Sequence, residues 1–326
     1  MKSVIHITLC LLLSFCYVYA QKVENVVSIQ DSINKKRQNL ILYGGSAIYG
    51  GLSTGLYLTW YKKYDQRNFH FFNDAGEWRD MDKAGHVFSA YLQSDFMYQS
   101  LKWAGVTEKK SIFYGALAGM AFQTTIEVMD GFSSEWGFSA ADMLSNVAGV
   151  SSFVLQQKHW GEQRIRFKMS SWPKKYSTDL FTSETGLFET SIQARSETLF
   201  GNNFQERFLK DYNAQTIWLS VNPSSFMDTK KFPEWLAIAV GYSAENMFGG
   251  YSNSWEINDE NIIIDPVLYP RYSQFILALD YDLSKIKTKS PFLKTVLGAL
   301  NGIKFPAPAI EYNTLNEFRF YLVFRN

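Results

Sequence analysis

Three short polar clusters interrupt the most apolar, Gly- and Ala-rich part of the chain. They are Asp82-Lys83-x-x-His86, Glu127-x-x-Asp130-Gly131 and Asp142-x-x-x-Asn146-x-x-Gly149. Each falls at helical spacing on a segment that otherwise reads as buried helix, and buried acids, imidazoles and amides need partners. The three segments are therefore expected to meet. Asp82 and His86 are four apart and share a helix face, where the carboxylate would hold one imidazole tautomer and raise its basicity. That pairing serves a general base and equally a metal ligand with its supporting partner. Gln123, Glu127 and Asp130 form one stripe at i, i+4 and i+7, and Glu127 is the first charge after Lys110. Asp142 and Asn146 share a face of the next helix.

Taken as a set, Asp82, His86, Glu127, Asp130, Asp142 and Asn146 offer oxygen ligands plus one imidazole, which suits magnesium, manganese or zinc. His86 and Glu127 are the candidate catalytic residues, either able to act as base. Asp82, Asp130, Asp142 and Asn146 are candidate binding or network residues. The competing reading is a buried hydrogen-bond network that only sets helix register. Asp82, Asp130 and Asp142 each have a helix-end explanation. His86, Glu127 and Asn146 do not, because each sits within a helix in apolar surroundings.

Four helices must position these groups. Residues 39–61 carry no charge and contain Gly44, Gly45, Gly50, Gly51 and Gly55. That run is long enough to span a bilayer, and its glycines would permit close helix packing in an apolar medium. Residues 69–79 read as a loop or short surface helix. Further helices are expected at about 82–103, 110–129 and 139–157. The third carries a Gly115-x-x-x-Gly119 face, and the fourth opens on a capping box in which Asp142 follows Ser139 by three. Residues 162–175 read as a charged linker. Beyond them the period changes from helical to alternating, with strands expected near 215–221, 235–242, 273–283 and 317–325. One helix interrupts them, with Ser290 as N-cap and Pro291 in its first turn, ending near Asn301-Gly302. In the last strand Phe318, Phe320, Leu322 and Phe324 share a face, a pattern typical of outer-membrane barrels. Four to seven strands are too few to assert closure.

Lys2, the apolar stretch 4–17 and Val18-Tyr19-Ala20 form a secretory signal with cleavage expected after Ala20. Phe15 before Cys16 argues against lipidation there. Both cysteines of the chain, Cys10 and Cys16, fall in this signal, so a thiol nucleophile and a Cys-ligated zinc are excluded from the exported protein. Lys+Arg number 32 and Asp+Glu 31. Removing Lys2 with the signal balances the charge, so nothing favours a nucleic-acid partner. Aromatic residues make up 17% of the chain, which fits a membrane interface or an apolar ligand as well as a large aromatic core.

The stretch from Asp82 to about Gly149 resembles the YfiM-type predicted periplasmic or lipoprotein family, a domain of unknown function. Its order of motifs is also similar to VanZ-like membrane proteins, with Asp-Lys-x-x-His, a Glu late in a helix, then Asp-x-x-x-Asn-x-x-Gly. VanZ-like chains tend to carry a Gln after the Glu and an Arg before the Asp helix. Asp130-Gly131 and Trp136-Gly137 occupy that region here, which favours the YfiM-type relation. The resemblance implies an envelope location and a membrane-associated helical domain, and it names no reaction.

The expected architecture is α+β. A signal peptide (1–20) precedes an N-terminal, membrane-associated bundle of about four helices (21–160). A linker (161–180) leads to a β-rich C-terminal domain (181–326) with one helix near 291–302. The expected location is the periplasm or outer membrane. The expected role is binding or processing a lipid or lipid-linked molecule at the polar cluster, with membrane lipid as partner and a divalent metal as the cofactor such a set would take. A protein partner on the C-terminal domain is a further expectation. The alternatives are a non-enzymatic envelope scaffold and an outer-membrane-associated structural protein.

Overall fold

The computed structural model describes residues 34–62, 64–227, 232–257 and 259–325. The signal, its cleavage site and both cysteines lie outside them. The chain is α+β, with long helices concentrated toward the N-terminus and the main sheet in the C-terminal half.

The first helix, α1, runs without interruption over 35–61, with π-helical turns at Leu40–Gly44 and Tyr57–Tyr61. Three long helices follow: α2 (Met81–Trp103), α3 (Glu108–Asp130) and α4 (Ala140–Trp160). The membrane-spanning expectation for 39–61 finds no support. No helix among the described residues is long and apolar enough to cross a membrane. The five glycines, with Ser46, Ser53 and Thr54, dilute the hydropathy of an otherwise uncharged run. Nor do those glycines serve close packing, because a Cβ added at Gly45, Gly50, Gly51 or Gly55 would meet no neighbouring atom within 4 Å.

Close packing occurs elsewhere. A Cβ at Gly119 would lie 2.3 Å from Ser94 Oγ and 2.8 Å from the Ala90 carbonyl oxygen. One at Gly115 would lie 2.8 Å from the Ser94 carbonyl oxygen, and one at Gly149 2.3 Å from the Val87 carbonyl oxygen. The Gly115-x-x-x-Gly119 face of α3 and Gly149 of α4 thus bring both helices against the backbone of α2. The start of α4 follows the capping-box expectation: Ser139 Oγ accepts from the Asp142 amide at 3.1 Å.

The two-residue strands β1 (Phe71–Phe72) and β2 (Phe138–Ser139) pair in parallel and tie the loop before α2 to the start of α4. Strand β3 (Ile165–Ser171) lies inside the stretch expected to be a linker. Its Phe167 and Met169 pack with the Met81 and Phe88 cluster on α2, and this burial overrides its charged composition. The hairpins β4 (Leu180–Thr182)–β5 (Glu189–Ser191) and β8 (Ser254–Ile257)–β9 (Glu260–Ile263) are separate two-stranded sheets. Two helices not anticipated from the sequence, α5 (Ile192–Phe200) and α6 (Phe204–Lys210), are N-capped by Ser191 and Asn203. Strands β6 (Gln215–Val221), β7 (Leu236–Glu245) and β10 (Tyr272–Tyr281) match three expected strands closely. Helix α7 (Pro291–Leu300) starts at Ser290 as read from the sequence. Strand β11 (Ala309–Asn313) was not foreseen, and β12 (Phe318–Tyr321) is shorter than expected. Six strands make one antiparallel sheet in the order β12-β11-β10-β7-β6-β3.

Helices and sheet share a core. Met81 and Phe88 of α2 pack with Ile217 of β6, Ala244 of β7 and Met247.

Candidate functional site

The polar centre is assembled around the first turns of α2. The turn that feeds this helix is left-handed at three consecutive non-glycine residues, Trp78, Arg79 and Asp80, with φ of 50°, 53° and 60°. Such conformations cost on the order of 1–3 kcal/mol each and persist only where the surroundings impose them. Here the fastening comes from the C-terminal half. The Tyr242 hydroxyl donates to the Arg79 carbonyl at 2.5 Å, Arg79 Nε to Ser273 Oγ at 2.9 Å, and the Trp78 amide to the Gly250 carbonyl at 2.8 Å. The turn aims Asp82, Lys83 and His86 at α3 and α4.

His86 is the hub. Its Nδ1 lies 3.0 Å from Asn146 Oδ1 on α4, so Nδ1–H donates to the amide. That bond leaves Nε2 facing three carboxylates: Glu127 Oε1 at 3.6 Å, Asp82 Oδ1 at 3.8 Å and Asp142 Oδ2 at 3.8 Å. Lys83 closes a second circle, with Nζ 2.6 Å from Asp74, 3.1 Å from Asp82 and 2.8 Å from Asp142. Three of these carboxylates are oriented from outside. The Tyr212 hydroxyl donates to Asp82 Oδ1 at 2.8 Å, Ser139 Oγ to Asp74 Oδ1 at 2.6 Å, and the Ser139 amide to Glu127 Oε2 at 3.2 Å. Asp130 stands one turn beyond Glu127 and accepts from the Tyr61 hydroxyl of α1 at 2.7 Å.

Five carboxyls therefore surround two basic groups, and the imbalance governs their titration. Burial pushes Glu127 and Asp130 up to about 7 and Asp142 up to about 8. The neighbouring acids reinforce each rise, while His86 opposes all three. Asp82 and Asp74 stay below the ordinary carboxylate value despite burial, held there chiefly by His86 and Lys83 for Asp82 and by hydrogen bonds from Asp142, Lys83 and Ser139 for Asp74. Of the facing pair, Asp142 is the one that keeps a proton. Burial alone would lower the His86 and Lys83 pKa values, but the surrounding carboxylates raise both. Glu127 and Asn146 are fully buried, yet Glu127 Oε1 and Asn146 Nδ2 have no hydrogen-bond partner among the described residues.

Ligand atoms of Asp82, His86 and Asp142 lie within 4.8 Å of one another, and Glu127 Oε1 faces the same Nε2. A tetrahedral ion with bonds of 2.0–2.2 Å needs ligand spacings of about 3.3–3.6 Å. The Nε2-to-oxygen distances of 3.6–3.8 Å are within a few tenths of an ångström of that. The centre opens into a cavity of about 580 Å³. Asp74, Asp82, His86, Asp130 and Asp142 line one part of it. Leu52, Leu56, Trp60, Phe88, Phe122, Ile126 and Leu209 form much of the rest, and Gly51 and Gly55 of α1 leave room there.

All six residues singled out from the sequence lie in or beside this region. His86, Asp82, Glu127, Asp142 and Asn146 converge directly, whereas Asp130 joins through Tyr61 and the cavity wall. Asp74 and Tyr212 escaped sequence reasoning. Asp74 sits in a loop whose only signal was an acid before Ala75-Gly76, and Tyr212 comes from the other half of the chain. No match to a curated protein or to a solved structure is found for the chain. Residues 70–158 match the model of a family described as predicted periplasmic lipoprotein, a family of unknown function, and this stretch spans all the cluster's residues except Tyr61 and Tyr212. The match fits an exported, envelope-associated protein of uncharacterised role.

Proposed function

We propose that this chain binds an amphiphilic envelope molecule, a lipid or lipid-linked phosphate, with its apolar part in the α1–α2–α3 cavity and its head group at the His86 centre. A divalent ion such as zinc or manganese would complete that centre, held by His86 Nε2, Asp82 and Asp142, with Glu127 beside it. The observation that carries the reading is the cavity itself, apolar over most of its wall and ending on an imidazole nitrogen that faces three carboxylates. A cation supports it because five carboxyls exceed the positive charge of Lys83 and His86, and because Glu127 Oε1 is buried without a hydrogen bond among the described residues. A closed structural network would leave neither that oxygen nor Asn146 Nδ2 unpartnered. The YfiM-type and VanZ-like resemblance points to the same envelope setting. Processing of the bound molecule would use the cation to acidify a bound water and Glu127, poised near neutrality, to take its proton.

The test fills the cavity without touching its polar end. In Gly55→Trp the new ring enters space that is open in the wild type. The purified chain, with zinc present, is titrated with a pyrene-labelled phosphatidic acid below its micellar concentration. Saturable binding is expected for the wild type. Affinity should fall at least about tenfold in Gly55→Trp, the loss of a few buried methylenes from the ligand, and in His86→Ala. Equal binding by all three proteins, with unchanged circular dichroism, would sink the proposal.

A further inference from the structure

The six-stranded sheet leaves an apolar face uncovered. In a sheet with one solvated face, apolar residues point into the protein and polar residues into water. Here one cross-strand row reads Leu219, Val240, Leu277, Ile310 and Phe320, paired in register from β6 through β12. These five side chains are exposed by 38%, 53%, 51%, 49% and 67%. The rows on either side continue the pattern, with Ile238 beside Leu279 and Phe275 beside Tyr312, all exposed. No charged side chain interrupts these rows. The far end of the same face, at Phe167, Met169 and Ile217, is covered by α2.

The opposite face is buried and mixed: Trp218, Ala239, Ile276, Ala278, Ala309 and Phe324 form a small apolar cluster on it, and polar groups occupy the rest. The Ser220 hydroxyl donates to Asp280 at 2.6 Å, Lys168 Nζ pairs with Asp280 at 2.8 Å, and Ser243 donates to Gln274 at 2.8 Å. Glu311 and Asn313 are also buried there. The segment after α7 closes over this side. It leaves the β3 edge, where the Lys304 amide donates to the Met169 carbonyl at 2.9 Å, and carries the Lys304 ammonium onto the Trp218 ring before entering β11.

We propose that the outer face of this sheet sits in the hydrocarbon of a lipid bilayer. Water does not reward so apolar an outer face, whereas apolar side chains outward and buried polar groups such as Lys168, Asp280, Gln274 and Glu311 inward is the pattern of strands facing lipid. Strands β7 and β10 are both 10 residues long, the length a tilted strand needs to cross hydrocarbon. An aromatic pair, Trp235 stacked on Tyr281, marks one end of these strands, as at membrane interfaces. An envelope location puts a bilayer within reach. This inference rests on the sheet and is independent of the His86 centre.

The experiment uses single thiols. Cys10 and Cys16 fall in the expected signal, so Leu277→Cys, Val240→Cys and, as control, Lys287→Cys each give the exported chain one labelling site. Each variant, expressed without residues 1–20, carries an environment-sensitive nitrobenzoxadiazole and is mixed with phosphatidylethanolamine–phosphatidylglycerol vesicles containing nitroxide acyl chains. The labels at Leu277 and Val240 should shift to the blue and be quenched by the nitroxides, and the label at Lys287 should do neither. Leu277→Lys should lower the fraction that floats with vesicles at least about tenfold, given the cost of a cation on a lipid-facing strand. Labels at Leu277 and Val240 that remain water-like with vesicles present overturn the proposal. So does a doubling of mass that buries both labels without lipid, which assigns the face to a second copy of the chain.

Discussion

His86 shows how one hydrogen bond decides what a residue can do. With Nδ1–H committed to Asn146, Nε2 is left to face Glu127, Asp82 and Asp142. The same carboxylates set a pH dependence whose sign follows from their shifts. Glu127, Asp130 and Asp142 hold protons more tightly in the fold than in the unfolded chain. Their contribution to stability is therefore complete below the ordinary carboxylate range and is lost as pH rises through about 7 to 8. His86, also raised, loses its contribution in the same direction. In chelator the melting temperature should thus fall between pH 5.5 and pH 8.5. Zinc or manganese competes with these protons, so the rise it produces should be larger at pH 8 than at pH 5.5, as thermal melts with and without the ion would show. Glu127→Gln separates a residue of a metal site from a structural strut. It should raise the melting temperature in chelator and weaken the response to zinc at least about tenfold in midpoint, since even supporting residues of a metal site cost that much. A lower melting temperature with no zinc response in either protein would make Glu127 part of a structural network.

At the scale of elements, the centre exists because three helices approach at backbone distance. Gly149 permits the contact of α4 with α2, since a Cβ there would lie 2.3 Å from the Val87 carbonyl oxygen. Its neighbour on that helix, Asn146, is the His86 partner. Gly149→Val should cost about 1–3 kcal/mol through overpacking. It should also weaken zinc binding by displacing Asn146 and Asp142 from His86, whereas the same change at Gly50, where the space is open, should do neither. Urea unfolding and zinc titration of the two variants compare them directly. The Gly115-x-x-x-Gly119 face was legible because small residues at that spacing have one common use. The glycines of α1 share the composition but meet no partner, and only Gly51 and Gly55 acquire a use, as part of the cavity wall.

For the whole molecule, the helical and sheet halves behave as one body at their contact. Met81 and Met247 are fully buried in a cluster that spans both, and Tyr212 from the sheet half orients Asp82. Met247→Ala should destabilise the chain by about 2–5 kcal/mol. Calorimetry should then show one transition moving to lower temperature, because the cavity it leaves belongs to both halves. Two transitions, of which only one moves, would mean that the halves unfold independently.

The sequence by itself determined the helix periods, the Ser139 and Ser290 caps, three of the sheet strands and the six polar residues that had to find one another. These follow from local rules, since capping, amphipathic period and the cost of a buried charge act within a few residues or one helix face. Tertiary structure alone decided the rest. It recruited Asp74 and Tyr212 to the centre and turned a charged stretch into strand β3 by giving Phe167 and Met169 a helix to pack on. It also left an apolar side of the sheet facing outward. Alternation along a strand says that its two faces differ, but which face is inside depends on what the other elements cover.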